Sequence, residues 1–329
     1  MSTLRLVTGA YPPDVCGVGD YSHALRQGFD AAGWRAEVYC RKDWRLASLP
    51  GHYRALRGSA AVLNIQHPTA GYGGSAVPYL LCALPLKARK VVTLHEYTRK
   101  GRAGKLIAQL FFAFADRVVF TSEFERDAAL RVAPWLRRKA AVIPIGSNIP
   151  MHDPRPAETD IAYFGLIRPG KGIEEFLAVL AAAQLPGGTR IRLIGQVVDG
   201  FEAYADTVAA QLAALGGEMV PNRSPDEVAG LLSRTRVALL PFPDGISQRR
   251  GSALAAMGNG ALVLSTPSQD DPALFEGICL AEPTIDRLAR RLEAVLAEPD
   301  AWRAVAEAGM RHARQLSWEG IARAYQALF

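Results

Sequence analysis

The chain contains few cysteines and no long uncharged apolar segment. Its four cysteines, Cys16, Cys40, Cys82 and Cys279, are far apart and lack the paired spacing of metal ligands, so we expect neither a disulfide framework nor a zinc cluster. No run of about 18 uncharged apolar residues occurs, so no membrane-spanning helix is expected. The first residues reach Gly9 without a long apolar region, and we therefore expect no signal peptide. These absences together favour a cytoplasmic protein.

Length and charge point to two different domains. The 329 residues are 49% hydrophobic, a globular composition, and suit two domains of about 150 residues each. Residues 1–150 contain 21 Lys and Arg against 10 Asp and Glu, whereas residues 151–329 contain 17 against 22. The basic half indicates an anionic partner, either a phosphate-bearing substrate or an anionic lipid. The acidic half argues against nucleic acid as a partner.

Short apolar runs alternate with helical patterns in both halves. We predict buried parallel strands at 4–8, 37–40, 61–66, 91–95, 117–121, 141–144, 161–164, 190–195, 218–220, 237–240 and 262–265. The proline-rich segment 149–156 is predicted to be a linker. This pattern predicts an α/β fold of two Rossmann-like, doubly wound domains that face each other across a cleft. Ligands of such sheets bind beyond the carboxyl ends of the strands.

Two features of the first half carry candidate chemistry. Gly17 and Gly19 precede a helix predicted over residues 20–32, where the helix N-terminus favours an anion, although a tight structural turn explains them equally well. The glycine-rich dinucleotide fingerprint is incomplete, which disfavours a dinucleotide. His67 lies just past one predicted strand and His95 lies at the carboxyl end of another, so both are expected at the same edge of the sheet. The alternative for each histidine is an ordinary packed or solvated residue.

Two loops of the second half carry the strongest signals. The glycine-flanked segment 165–172 contains Arg168 and Lys171 before a helix and suits a diphosphate; the alternative is a solvated basic turn. Asp-x-Asp, the usual cue for a divalent metal on a nucleotide sugar, is absent, so cationic side chains would have to neutralise the phosphate charge. Segment 239–252 leads from a strand through Asp244 to a helix. The Asp244 carboxylate, which can accept hydrogen bonds from sugar hydroxyls, is therefore expected beside the helix N-terminus, whose N–H groups can bind a phosphate. Arg249 and Arg250 in this segment are either phosphate contacts or a structural pair.

Taken together, these motifs resemble those of glycosyltransferases of the GT-B fold, and are most similar to family 4, the group 1 family of retaining enzymes. The resemblance covers essentially the whole chain. It implies that Lys171 holds the donor diphosphate. The family arginine that directly follows the glycine falls at Leu166, so its role would pass to Arg168.

The resemblance also assigns roles to residues where the chain departs from the family. Two glutamates eight apart bind the donor sugar and the ribose in the family, and these positions hold Asp244 and Ser252 here. His95 matches the histidine that approaches the donor sugar. The last helix of such enzymes crosses back onto the first domain, which divides the chain into an acceptor-binding domain at 1–150, a donor-binding domain at 151–310 and a crossing helix at 311–329.

The predicted site comprises three overlapping sets. The residues expected to act in catalysis are His95, Asp244, Arg168 and Lys171. Donor binding is expected from Gly17, Gly19, Gly165, Arg168, Lys171, Pro221, Asn222, Asp244, Gly245, Ile246, Ser247 and Ser252. Acceptor binding is expected from Asp20, Tyr21, His67 and His95.

The implied reaction moves a hexosyl residue from GDP-mannose or a UDP-hexose to a glycan or a polyprenyl-linked acceptor, in polysaccharide or glycolipid biosynthesis. It is expected to need neither a metal nor a cofactor. Retention through front-face attack requires no protein nucleophile, whereas inversion would require a base, for which Asp20 and His95 are candidates. Two alternatives remain: an inactive sugar-nucleotide-binding subunit, suggested by Ser252, and a GT-B epimerase or phosphorylase.

A basic stretch in the first half predicts association with a membrane. Seven cations precede the apolar segment 106–114: Lys87, Arg89, Lys90, Arg99, Lys100, Arg102 and Lys105. A basic and apolar surface of this kind suits an anionic bilayer, which predicts a peripheral position on the inner face of the plasma membrane. The alternative is that 106–114 is a buried helix and that the charges are solvated.

Overall fold

The structure is a computed structural model that describes residues 3–58, 60–269 and 272–329. It divides into two compact units, one formed by Met1–Gly146 with Ser317–Phe329 and the other by Ser147–Leu316. The proline-rich segment predicted as a linker is held by the second unit. There the buried Asn259 donates from Nδ2 to the carbonyl oxygen of Pro150 at 3.0 Å and accepts at Oδ1 from the backbone N–H of His152 at 2.8 Å.

The first unit is built on a parallel six-stranded sheet. Its strands are β1 (Thr3–Thr8), β2 (Arg35–Cys40), β3 (Val62–His67), β4 (Arg89–Leu94), β5 (Arg117–Phe120) and β6 (Ala140–Val142), in the spatial order β2-β1-β3-β4-β5-β6. The helices between them are α1 (Gly17–Ala31), α2 (Leu49–Leu56), α3 (Val77–Ala83), α4 (Arg102–Ile107), α5 (Gln109–Phe114) and α6 (Glu123–Val132). Short 3₁₀ turns lie at Leu46–Ser48, Ala70–Tyr72 and Pro134–Arg138.

The second unit repeats the architecture. Its strands are β7 (Thr159–Ile167), β8 (Ile191–Val197), β9 (Gly217–Pro221), β10 (Thr235–Leu240), β11 (Leu262–Ser265) and β12 (Leu280–Ala281), in the parallel order β12-β11-β10-β7-β8-β9. The helices are α7 (Ile173–Ala182), α8 (Glu202–Ala214), α9 (Pro225–Leu232), α10 (Gly251–Gly258), α11 (Ile285–Ala297) and α12 (Arg303–Gln315), with 3₁₀ turns at Pro272–Phe275 and Pro299–Trp302. The last helix, α13 (Trp318–Gln326), belongs to the first unit.

Alternation along the strands gives the first sheet two buried faces. Leu6 of β1 and Val91 of β4 pack in one apolar cluster with α1 and α13, whereas Val7 and Val92 pack in a second cluster with the other helices. Because both faces are covered, strands such as β3 are buried at every residue, which explains their short apolar runs. The prediction of two Rossmann-like domains is thereby confirmed.

Several predicted element boundaries are wrong. Helix α1 begins at Gly17, so Gly17 and Gly19 lie in its first turn rather than in a loop before it. Strand β7 continues to Ile167, so Gly165 lies within a strand. The apolar segment 106–114 forms the two short helices α4 and α5, and the side chains of Phe111 and Phe112 are buried in the core. No helix in the described parts of the chain is both long and apolar enough to span a membrane.

Candidate functional site

The loops that follow β7 and β10 lie against each other in the second unit. Gly172, with φ +90°, approaches Pro241 so closely that a Cβ atom there would lie 2.5 Å from the Pro241 carbonyl oxygen. The hydroxyl of Tyr163, in β7, donates to the carbonyl oxygen of Lys171 at 2.8 Å. These contacts place the predicted diphosphate segment beside the segment that contains Asp244.

Charged side chains from both loops surround Tyr163. Burial raises the pKa of the Tyr163 hydroxyl well above its usual range, and the charges of Arg250, Glu174, Glu175 and Arg168 also act on it. Glu174 accepts a hydrogen bond from Tyr204 at 2.7 Å. Arg168 therefore lies in the same cluster as Arg250, and the cluster combines cations with the N-terminal turn of α7.

Asp244 pairs with Arg250 rather than standing as an isolated carboxylate. The Arg250 guanidinium also stacks on Phe242, with its carbon 4.3 Å from the ring centroid. The next residue, Gly245, has φ +77°, and a Cβ atom there would lie 2.0 Å from the carbonyl oxygen of Pro267, so the turn requires glycine. Ile246 then donates its N–H to the carbonyl oxygen of Thr266 at 3.1 Å. Backbone contacts of this turn and the pairing with Arg250 therefore both contribute to the position of the carboxylate.

The remaining residues of the second unit that are predicted to bind the donor lie on neighbouring elements. Pro221 ends β9, and Asn222 adopts φ +54°, with its Oδ1 accepting from the N–H of Val197 at 3.0 Å. Ser247 lies in the loop before α10, and Ser252 lies in the first turn of that helix. The second unit therefore contains every predicted donor residue except Gly17 and Gly19, which lie in the first unit.

His95 lies directly after β4 in the first unit and is buried. Its Nε2 lies 2.9 Å from Oε1 of Gln66, and its ring packs edge-on against Tyr21 with the centroids 4.6 Å apart. Burial lowers the pKa of His95 to about 3, so the imidazole is neutral at physiological pH. A neutral imidazole of such low basicity offers a hydrogen bond rather than strong general-base catalysis.

His67 and Asp20 have contrasting surroundings. His67 ends β3 in a buried aromatic cluster, where its ring centroid is 4.7 Å from that of Tyr79 and its Nδ1 lies 3.3 Å from Nζ of Lys100. Burial and the Lys100 charge lower the pKa of His67, and burial lowers the pKa of Lys100 to about 8. Asp20 is exposed in the first turn of α1, where partial loss of solvent raises the pKa of its carboxyl and the charge of His23 opposes that rise.

The sequence of the chain is similar to those of known glycosyltransferases. Residues 168–327, slightly less than half of the chain, match a family model described as glycosyl transferase-like. The D-inositol 3-phosphate glycosyltransferase of Segniliparus rotundus is 25% identical over 321 residues, covering 88% of this chain and 67% of that protein.

Solved structures show the fold of the whole chain. The Anabaena protein HepE in complex with UDP and glucose has a TM-score of 0.72 at 14% identity, covering 99% of each chain. A glycosyltransferase from Rickettsia africae has a TM-score of 0.71 at 14% identity, covering 100% of this chain and 97% of that one. The chain has the GT-B fold, and its sequence is similar to those of known glycosyltransferases.

In this GT-B protein, several residues that shape the site were not identified from the sequence. Tyr163 organises the charged cluster, while Gln66 and Tyr325 belong to the hydrogen-bonded surroundings of His95. Polar residues inside otherwise apolar strands, such as Asn64 and Gln66, were the available signal. Tyr325 had none, because its partners are 232 and 304 residues away in the sequence. No group of three or more His, Cys, Asp or Glu in the described ranges could hold a metal ion.

Proposed function

We propose that the protein transfers a hexosyl residue from a nucleotide-diphosphate sugar to a glycan or lipid-linked acceptor. The observation that carries this proposal is the convergence of Arg168, Lys171 and the Asp244–Arg250 pair on two adjoining loops at the carboxyl ends of β7 and β10. Parallel sheets bind ligands at this edge. The Anabaena protein HepE, which has the same fold, has been crystallised with UDP and with UDP-glucose.

The second unit would hold the donor through its diphosphate. The negative charge that develops on the leaving diphosphate would be stabilised by Lys171, by Arg168 and by the N-termini of α7 and α10, which supply backbone N–H groups and a positive dipole end. These fixed positive groups lead us to propose that no metal or cofactor takes part. Asp244, oriented by Arg250, would accept hydrogen bonds from hydroxyls of the donor sugar.

The first unit would supply His95 and the acceptor side of the reaction. A neutral His95 can accept a hydrogen bond from a sugar hydroxyl without taking up a proton. This property fits front-face transfer with retention, in which the leaving phosphate takes the acceptor proton. Asp20 and His67 lie in the same unit, and we propose that they border the acceptor.

A thermal-shift screen of GDP, UDP, ADP and their sugar conjugates without added metal tests the donor site. A ligand that binds only the folded protein increases its free energy of unfolding, by about 2.7 kcal/mol at a ligand concentration of one hundred times Kd. The melting temperature therefore rises. We expect one nucleotide to do so, and Lys171→Ala to abolish the shift. Arg311→Ala, which removes an exposed cation from α12, serves as the control and should retain it. No shift with any nucleotide would contradict the proposal.

Transfer itself is tested by incubating the bound sugar nucleotide with oligosaccharide and polyprenyl-phosphate acceptors and measuring release of the nucleoside diphosphate. We expect acceptor-dependent release that Lys171→Ala suppresses. If the sugar nucleotide binds but no acceptor causes release of the nucleoside diphosphate, the result would instead favour an inactive sugar-nucleotide-binding subunit. Ser252 at the second glutamate position suggests this alternative.

A basic and aromatic surface of the first unit supports our proposal of peripheral association with the inner face of the plasma membrane. Phe114, Val132 and Trp135 are 46%, 59% and 52% exposed. Lys139 joins them, since its Nζ lies 5.4 Å from the Trp135 ring centroid and donates to the carbonyl oxygens of Ala113 and Ala115, on either side of Phe114. We call these four residues the Trp135 surface.

Charge complementarity selects an anionic bilayer as the partner of the Trp135 surface. The exposed Arg131, Arg137 and Arg138 lie within three residues of Val132 or Trp135 in the sequence, and none of the three forms an ion pair with an Asp or Glu of the described residues. Aromatic side chains beside cations suit the interface of an anionic membrane. The surface lies by the amino-terminal ends of β5 and β6, at the opposite edge of the sheet from His95, and would therefore leave His95 uncovered.

A further inference from the structure

A buried chain of hydrogen bonds joins the last helix to the strand ends near His95. The Tyr21 and Tyr325 hydroxyl oxygens are 2.9 Å apart, and the Tyr325 hydroxyl is also 2.9 Å from Oγ1 of Thr93. Thr93 donates to Oδ1 of Asn64 at 3.0 Å, and Gln66 donates from Nε2 to the same oxygen at 3.1 Å. All five side chains are buried.

The direction of each bond follows from the available protons. Thr93 gives its single hydroxyl proton to Asn64, so it accepts from the Tyr325 hydroxyl, which in turn accepts from Tyr21. Because the Gln66 amide nitrogen faces Asn64, its carbonyl oxygen faces His95 and accepts from Nε2–H. His95 is thereby held as the Nε2–H tautomer, which leaves Nδ1 as a hydrogen-bond acceptor.

Tyr325 acts on His95 along two routes. One route runs through Thr93, Asn64 and Gln66 to the His95 Nε2–H. The other runs through the hydroxyl of Tyr21, whose ring packs edge-on with the imidazole at an interplanar angle of 79°. Tyr325 is the side chain that both routes share.

The position of Tyr325 is fixed by close packing of α13 on α1. Gly28 of α1 meets the backbone of Trp318, where a Cβ atom would lie 2.3 Å from the carbonyl oxygen. Ser317 caps α13 by accepting from the N–H of Gly320 at 3.2 Å. Helix α13 therefore holds the Tyr325 hydroxyl within hydrogen-bond distance of Thr93 and Tyr21.

We propose that Tyr325 is a positioning residue for His95, which it clamps through Thr93 and through Tyr21 so that Nδ1 is presented to a substrate hydroxyl. The catalytic meaning of this inference rests on the proposed glycosyl transfer. The clamp itself is a property of the ligand-free protein and can be tested without substrate.

Removal of single hydroxyls tests the clamp. Tyr325→Phe keeps the ring and breaks both routes, whereas Tyr21→Phe breaks only one. We expect Tyr325→Phe to lower kcat roughly tenfold with little change in the KM for the donor, since small misplacement of a reacting group is costly. Tyr21→Phe should cost less, and the double variant should match Tyr325→Phe alone. Tyr53→Phe, which removes a hydroxyl elsewhere in the first unit, is the control.

Imidazole ¹H–¹⁵N spectra of the ligand-free protein give the second readout. We expect one set of His95 signals with Nε2 protonated in the wild type, and broadened or doubled signals in Tyr325→Phe. A protonated Nδ1 in the wild type, or wild-type spectra and kcat in Tyr325→Phe, would overturn the inference. Full activity in His95→Gln would instead overturn the proposed role of His95. An inactive wild type with the expected spectra would leave the clamp standing and remove the proposed transfer.

Discussion

Arg250 pairs with the carboxylate of Asp244 while its guanidinium lies on the ring of Phe242. The pair joins the loop after β10 to the start of α10, so the Arg250 guanidinium helps to orient the carboxylate. This arrangement would hold Asp244 toward the hydroxyls of the proposed donor sugar and would keep a cation beside the proposed diphosphate site.

Changes to this pair should be non-additive. Asp244→Asn and Arg250→Gln are each expected to lower kcat/KM for the donor by roughly tenfold or more, because each leaves a partner with an uncompensated charge or without its orientation. The double variant should be only as impaired as the worse single one. Steady-state kinetics of the four proteins measure the coupling, and strictly multiplicative losses would show that the two residues act independently.

Gly172→Ala should be markedly more destabilising than Gly170→Ala. Both glycines have positive φ, which costs an L-residue about 1–2 kcal/mol, but a Cβ at Gly172 would also meet the Pro241 carbonyl oxygen, whereas the space around Gly170 is open. We expect a loss of about 3 kcal/mol for Gly172→Ala against about 1 kcal/mol for Gly170→Ala. Urea denaturation measures the difference, and equal losses would contradict the close approach of the two loops.

Stability should fall in mild acid because of His95. The folded-state pKa of about 3 lies below the usual value of 6.5, so between these values the unfolded chain binds more protons than the folded one. The contribution of the neutral His95 is therefore complete above pH 6.5 and is lost as the pH falls toward 3, at up to about 1.4 kcal/mol per pH unit.

Comparison of wild type with His95→Gln isolates this contribution. We expect a shallower dependence of the free energy of unfolding on pH in the variant between pH 4.5 and 6.5. His67, whose pKa is also lowered, acts in the same direction and should account for part of the remaining slope. Identical slopes in the two proteins would show that His95 is protonated as easily in the folded as in the unfolded chain.

The Trp135 surface should govern binding to anionic vesicles. We expect Trp135→Ala to weaken flotation with phosphatidylglycerol vesicles about tenfold. The substitutions Arg137→Gln and Arg138→Gln should each weaken it about fivefold, since each cation near such a surface contributes about 1 kcal/mol. Added salt should weaken the wild type. Leu46→Ala, at another exposed apolar residue, is the control. Equal flotation of all variants would refute a membrane role for this surface.

The fold class and part of the proposed donor site could be predicted from the sequence. Continuous apolar runs such as 117–121 predict strands that are buried on both faces. Glycines beside Lys171 predict a tight turn before a helix. Both features can be recognised from a short stretch of sequence. Local signals also place His95 after a strand. They do not place its neighbours, because side-chain hydrogen bonds depend on which strands and helices meet.

Which of these residues contact one another depends on the tertiary structure. Arg250 faces Asp244 because Gly245 turns the chain back, and Gly172 lies on Pro241 because β7 and β10 are neighbours in the sheet although they are distant in sequence. Tyr325 reaches Thr93 across 232 residues because α13 packs on the same face as α1. Such contacts follow from packing between helices and strands that are distant in the sequence. The pattern within one segment does not show which other segment it packs against.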